Sequence, residues 1–379
     1  MSGKDIKMMT PFTMLLIAVM VAGLAAALYR MSNGLGAATN LNDDVPWGLW
    51  IGLDLLGGVA MAAGGFLVAG AVYLFNMKKY KPIVRPAVLT AFIGYLLAVV
   101  ALFFDLGHPF KIWHPAFMWQ IHSVLWVVAM HVIFYTMTLA VEFSPMLFEK
   151  LKMHGLLKFV NGIMVGVVLF GVMLSVLHQS SLGAIYLIMV NKMSTLWYNP
   201  LIAYFFLVSA VAMGLSMVSL ESIISAKAFG HKPHLEILQG LAKGTTWALL
   251  LYLGMKVVYL AKGPGGIGAA FAGTMEANIY LTELAVGVVL PLILLLSKGK
   301  SLSVNGLLFC NILVVGGVLL NRMSIAVFST AGYAKSMGGS YTPAFLEIIL
   351  TLGIFALGVL LFKLVAKYLT LFPEAEPEY

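Results

Sequence analysis

Charge and cysteine are the scarce ingredients of this chain: of 379 residues, 10% are charged and one, Cys310, is cysteine. Soluble domains carry about 25% charged residues, so a water-soluble globule is excluded. A content of 61% hydrophobic residues excludes a disordered chain as well. One cysteine cannot ligate an iron–sulfur cluster or form a disulfide within the chain. The apolar runs lack the strict alternation of a β-barrel. Also missing are a C-x-x-C-H haem-attachment motif, a Walker loop, a dinucleotide fingerprint and an H-E-x-x-H pair. The formal net charge of +8 would suit a nucleic-acid partner, but the basic residues lie in short loops between apolar runs. No nucleic acid is implied; the partner is the lipid bilayer. What remains is an all-α, polytopic membrane protein.

A spanning helix needs roughly 20 apolar residues, and ten such runs are present. They cover approximately 11–30, 47–76, 86–106, 119–142, 156–177, 199–225, 240–261, 277–297, 303–328 and 343–370. They form one integral membrane domain over 1–379. Lys4 and Lys7 precede the first run as in a signal peptide, but its apolar core is too long for one. It is read as a retained helix. Sixteen of the 23 Lys and Arg fall in the termini and alternate loops on one side, against five on the other. The positive-inside rule therefore places both termini in the cytoplasm. Segment 182–191 is apolar but too short to span, and is expected to lie along the interface or re-enter. The acidic tail with Glu374, Glu376 and Glu378 is expected to be disordered. The long opposite-side loops, including 107–118 with His108, Trp113 and His114, suggest a docking surface.

Ionisable side chains inside a membrane are expensive and mark function by default. Asp54, Asp105, Glu142, Glu221, Lys256, Glu283, Arg322 and Glu347 fall in or near the runs, with His122, His131 and His178. Asp54 lies about two turns into the second helix and precedes Gly57 and Gly58, which recur as Gly64 and Gly65. That spacing predicts a small-residue seam for a neighbouring helix, shared by Asp54. A buried carboxylate can handle protons; the alternative is a hydrogen-bonded structural Asp. His178 opens His178-Gln179-Ser180-Ser181, donors and acceptors that could hold a quinone carbonyl, or else simply end a helix. Lys256, Glu283, Arg322 and Glu347 sit at similar depth on four helices and read as a charge-neutral ion-pair network. A dihaem b-type core needs four histidines at membrane depth, and only His122, His131 and His178 are near it.

Asp44-Val45-Pro46-Trp47-Gly48-Leu49-Trp50, Val84-Arg85-Pro86-Ala87, Gly94-Tyr95, Glu142-Phe143-Ser144-Pro145 and His178-Gln179-Ser180-Ser181-Leu182-Gly183 occur in that order. Together they resemble the NrfD/polysulfide-reductase membrane-subunit family, and within it the HybB-like subunit of hydrogenase-2-type complexes. The resemblance implies two four-helix bundles with extra spans, no haem or iron–sulfur cluster in this chain, and a quinone, menaquinone by preference. It implies a periplasmic ferredoxin-like iron–sulfur subunit and nickel–iron hydrogenase subunits as partners. By position it puts Asp54 and His178 at the quinone head-group, with Gln179 and Trp47 beside them. Tyr95, Arg85 and Glu221 then carry protons toward the cytoplasm, Arg85 pairing with Glu221. Hydrogenase members carry an acid in the fourth helix where this chain reads Ser123-Val124-Leu125-Trp126-Val127; His122 and His131 are the candidate replacements. Two other readings stand beside the hydrogenase one. One is a sulfur-metabolism or other oxidoreductase complex of the same family, and the other an ion-coupled transporter, which would need inverted repeats and broken midplane helices.

Overall fold

The computed structural model describes residues 7–230 and 232–371; Lys4 and the acidic tail fall outside them. Among the described residues, ten helices are long and apolar enough to cross a membrane. They are α1 (Pro11–Asn33), α2 (Trp50–Tyr73), α3 (Lys78–Asp105), α4 (Val124–Lys150), α5 (His154–Ile188), α6 (Ile202–Phe229), α7 (Leu235–Lys262), α8 (Met275–Lys298), α9 (Val304–Ser336) and α10 (Phe345–Tyr368). No strand forms among the described residues beyond an isolated bridge between Asn42 and Val45. Local chemistry sets many boundaries. Thr10, Ser123, Thr274 and Ser303 each accept a backbone N–H from the first turn of their helix. Gly34 and Gly230 end α1 and α6 at positive φ, a conformation that glycine adopts without a Cβ penalty. The chain is a multi-pass integral membrane protein.

Helices α2–α5 pack around one another as a first bundle and α6–α9 as a second. The bundles meet where α2 and α5 contact α6 and where α2 contacts α9. The remaining pair, α1 and α10, packs on itself and then on α3. Bonds between distant segments fix which ends share a face. Asn40 and Glu347 meet at one face, termed here the loop face. Arg85 and Thr370, and Lys363 and Thr13, meet at the other, the terminal face.

Two expectations change. Residues 182–188 do not form a separate interfacial piece. They continue α5 and close it with a 3₁₀ turn, Ile185–Ile188, in which Ile185 and Tyr186 are buried. Gly183 lets α6 approach closely, since a Cβ there would lie 2.8 Å from the Ile202 carbonyl oxygen. The seam on α2 also serves several neighbours instead of one: Gly57 meets Leu319 of α9, Gly64 meets Gly214 of α6, and Gly65 meets Ala91 of α3. Gly64 and Gly65 are adjacent on a regular α-helix and so point about 100° apart, while the wide π-helical segment Trp50–Gly57 alters the register between Asp54 and the glycines beyond it.

The Gly64–Gly214 contact yields a stability test. A Cβ on Gly64 would sit 2.7 Å from the Gly214 carbonyl oxygen, whereas nothing lies within 4 Å of one on Gly166. Gly214→Leu is expected to destabilise the bundle interface by about 1–3 kcal/mol, seen as a lower melting temperature in detergent. Gly166→Ala should melt like the parent; equal melting of all three proteins would refute the close-packed interface.

Candidate functional site

Asp54 is carried by the π-helical segment of α2 and is 5% exposed. Its Oδ2 accepts a 2.7 Å hydrogen bond from the Thr351 hydroxyl of α10, and its Oδ1 is buried with no partner. The carboxylate lines one end of a cleft of about 710 Å³. Walls come from α2 (Gly58, Met61, Ala62), α3 (Ile93, Gly94, Leu97), α6 (Met217, Leu220, Ile224) and α10 (Ile354, Phe355, Val359). Toward the terminal face the same cleft reaches Glu221, Ser225 and Lys363. Glu221 Oε1 and Thr90 Oγ1, both in the lining, are also buried without partners. Phe355, Val359 and Ile224 are exposed in the chain, so the mouth between α6 and α10 faces the apolar surroundings. The shape is that of a largely apolar slot with an acid near each end.

His178 lies elsewhere. Its imidazole is fully buried inside the first bundle, and neither ring nitrogen has a partner. It packs on Tyr95 at 5.6 Å between ring centroids and on His131 at 6.2 Å. His131 Nδ1 is 3.2 Å from the Ser181 hydroxyl. Tyr95 meets Tyr135 of α4 edge to face at 4.6 Å, and the hydroxyls of Tyr95, Tyr135 and Ser175 are buried and unpartnered. Glu142 lies beyond, filling the space that a Cβ on Gly171 would need. Gln179 donates to the Val59 carbonyl of α2 at 3.0 Å, which locks α5 against α2. Asp54 and His178, expected at one head-group, are therefore on separate surfaces. His178 is not in the cleft lining, and Tyr95 leads toward Glu142 instead of Arg85 and Glu221.

Arg85 does not pair with Glu221. Its guanidinium bonds Glu149 at 2.6 Å and the Thr370 carbonyl at 2.9 Å, at the terminal face. The longer reach of α4 explains this, because the helix extends past the sequence-based end at 142 to Lys150 and presents Glu149 to Arg85. Trp47 stands just before α2 and meets Tyr186 edge to face at 5.0 Å.

The family model described as "Polysulphide reductase, NrfD" matches residues 37–334. The chain belongs to the NrfD family. A Nitratidesulfovibrio vulgaris protein is 34% identical over 98% of this chain and 97% of its own length. The Escherichia coli "Probable Ni/Fe-hydrogenase 2 b-type cytochrome subunit" is 29% identical over 91% of this chain and 88% of that protein. The integral membrane subunit of a menaquinone reductase, again from N. vulgaris, is 26% identical over 93% and 89%. These relatives place this NrfD-family chain among the membrane subunits of oxidoreductase complexes.

Within the NrfD-family chain, the two candidate replacements for the absent fourth-helix acid separate clearly. His122 is exposed in the loop before α4. His131, one turn inward from Val127, points at His178. Sequence reasoning missed Thr351, Tyr135 and Ser175, since neutral hydroxyls in apolar runs carry no charge signal. It also misplaced Glu347. Tyr341 donates to Glu347 Oε2 at 2.5 Å, and the backbone N–H groups of Asn40 and Ala344 donate to Oε1. Glu347 thus caps α10 and does not join the second-bundle network.

That network has one acid and two bases, not the neutral set expected. Glu283 accepts from Trp197 at 3.1 Å, Asn321 at 2.8 Å and Lys256 at 3.4 Å. Arg322 bonds Asn321, Ser209 and the Phe206 carbonyl, with its guanidinium over the Phe206 ring. Removing one member of a buried ion pair costs about 3–5 kcal/mol. Glu283→Ala is expected to lower detergent melting accordingly, whereas Glu283→Leu combined with Lys256→Met should restore much of the loss. Unchanged melting in Glu283→Ala would remove this network from the fold's supports.

Proposed function

We propose that this chain is the quinone-reactive membrane subunit of a respiratory complex of hydrogenase type. Electrons pass from an iron–sulfur partner at the loop face to a quinone in the α2–α3–α6–α10 cleft. The observation that carries the reading is the cleft itself: apolar walls open laterally for an isoprenoid tail, with a buried carboxylate oxygen left free at its inner end. A bound quinone would accept two electrons and two protons to become the quinol. Asp54, oriented by Thr351, is placed to hold a carbonyl oxygen and move a proton at it. Menaquinone is the preferred quinone, as the name of the N. vulgaris relative suggests. His178, Tyr95, Gln179 and Trp47 support the site from the first bundle and the loop face.

The partners in this reading are a periplasmic ferredoxin-like subunit and nickel–iron hydrogenase subunits, in line with the name of the E. coli relative. Exposed Phe110, Trp113, Phe117 and Trp119 offer them a landing surface. Both termini are cytoplasmic and the loop face is periplasmic. The family description also favours a second reading, a sulfur-metabolism complex with the same quinone chemistry. The buried His131 and His178 rings stand 6.2 Å apart with Tyr95 packed on His178, too close for a porphyrin plane between them, and His122 lies in the outer loop. We therefore read the chain as haem-free.

Asp54→Asn is expected to cut quinone-linked turnover by about 100-fold or more and His178→Ala to abolish most of it. Transfer to a soluble artificial acceptor should survive in both. Failure of both variants to assemble with their partners would assign the two residues to structure. Glu221→Gln is expected to slow quinone reduction with little change in apparent quinone affinity, because it sits at the far end of the cleft. Full activity in that variant would exclude cytoplasmic proton supply through Glu221.

A further inference from the structure

A glycine inside a helix weakens it relative to alanine, so a buried helical glycine needs a reason. At several positions the reason is close approach of two backbones: Gly64 with Gly214, Gly23 with Gly353, and Gly287 with Gly317. Gly58 has no such reason. It is buried, and its φ of −58° and ψ of −45° are those of an ordinary right-handed helix. A Cβ built on it would meet no atom within 4 Å. Among the described residues, every other glycine with that much free space is exposed or has a positive φ.

The free space at Gly58 is the cleft. Gly58 stands one turn beyond Asp54 on α2, its N–H donates to the Asp54 carbonyl, and both residues line the cleft. Cα–Cβ bonds tilt toward the start of a helix, so a side chain at 58 would lean back toward the Asp54 carboxylate, whose Oδ1 is buried and unpartnered. Ala62 and Gly94 of α3 continue the same surface, and the Gly58 carbonyl oxygen lies 3.6 Å from the place of a Gly94 Cβ. This floor is backbone and methyl groups only, whereas the α6 and α10 walls carry longer side chains such as Met217 and Ile354. Hydroxyl groups in the lining begin at Thr90, one turn from Gly94 toward the terminal face.

We propose that Gly58 is a specificity-determining residue: its missing side chain leaves room beside Asp54 for a second fused ring, so the slot selects a naphthoquinone over a single-ring benzoquinone. The inference rests on the cleft being the quinone site. A carbonyl oxygen held at Asp54 Oδ1 sets the quinone ring against the turn that joins Asp54 to Gly58. The fused ring is flat and carries no polar substituent, and it extends over Gly58, Ala62 and Gly94. A dimethoxybenzoquinone would put two ether oxygens on the same floor, which offers them no side-chain donor.

The test uses the whole complex in detergent, with reduced methyl viologen as donor. The acceptor is either 2,3-dimethyl-1,4-naphthoquinone or 2,3-dimethoxy-5-methyl-6-decyl-1,4-benzoquinone. Parent, Gly58→Ala and Gly58→Val are compared in kcat/KM for each acceptor and in melting temperature. Gly58→Ala is expected to melt at or above the parent temperature, since alanine suits this helix better, and yet to lose about tenfold in kcat/KM for the naphthoquinone. Gly58→Val should lose more, chiefly through KM. The benzoquinone values should fall less, so the preference for the fused ring shrinks with each added methyl group. Equal losses with the two acceptors, unchanged kinetics in both variants, or a lower melting temperature in Gly58→Ala would each overturn the assignment of Gly58. Those results leave the cleft in place provided Asp54→Asn is inactive with both acceptors. An active Asp54→Asn would overturn the quinone site itself.

Discussion

A carboxylate buried inside a membrane helix must be neutralised, hydrogen-bonded or used, and the arrangement around Asp54 follows from that constraint. The helix that bears it widens into a π-helical segment. A helix from outside the two bundles supplies Thr351 to one oxygen. The other oxygen is left at the end of a slot large enough for a planar ring and part of a tail. Without α10 the carboxylate would lose its hydrogen bond and the cleft would lose a wall.

The two bundles differ in how they hold their buried polar groups, although Tyr280 Oη, Arg322 Nε and Glu221 Oε1 of the second are also without partners. In the second bundle Glu283 collects three donors and Arg322 is bonded at both terminal nitrogens, which suits a fixed scaffold. In the first, His178, Tyr95, Tyr135, Ser175 and Glu142 all have polar atoms with no partner. Buried groups left open are costly in a low-dielectric interior. They are gathered inside the first bundle, around His178 and Tyr135 and outside the lining of the cleft.

The ten helices were legible because a run of about 20 apolar residues has few other uses, and the charged intramembrane residues stood out for the same energetic reason. What the sequence withheld was which surfaces those residues share. Asp54 and His178 looked like partners because both stand near the loop-side ends of their helices, yet helix rotation puts one in the cleft and the other among aromatic rings. Arg85 was assigned to Glu221 because the run ending at 142 concealed two further turns of α4 and, with them, Glu149. Glu347 was grouped by depth with Lys256 and Arg322, although its place after Ala344 lets it cap α10. Thr351 carries no charge, and only the packing of α10 on α2 reveals it.

The central claim, that the cleft beside Asp54 is where quinone binds, is tested most directly by photolabelling the intact complex with an azido-naphthoquinone and mapping the labelled peptides. The account expects label on α2 around residues 54–62 and on α10 around residues 351–359, competed away by unlabelled quinone and lost in Asp54→Asn. Competable label confined to α7–α9 of the second bundle, with none on α2 or α10, would contradict it.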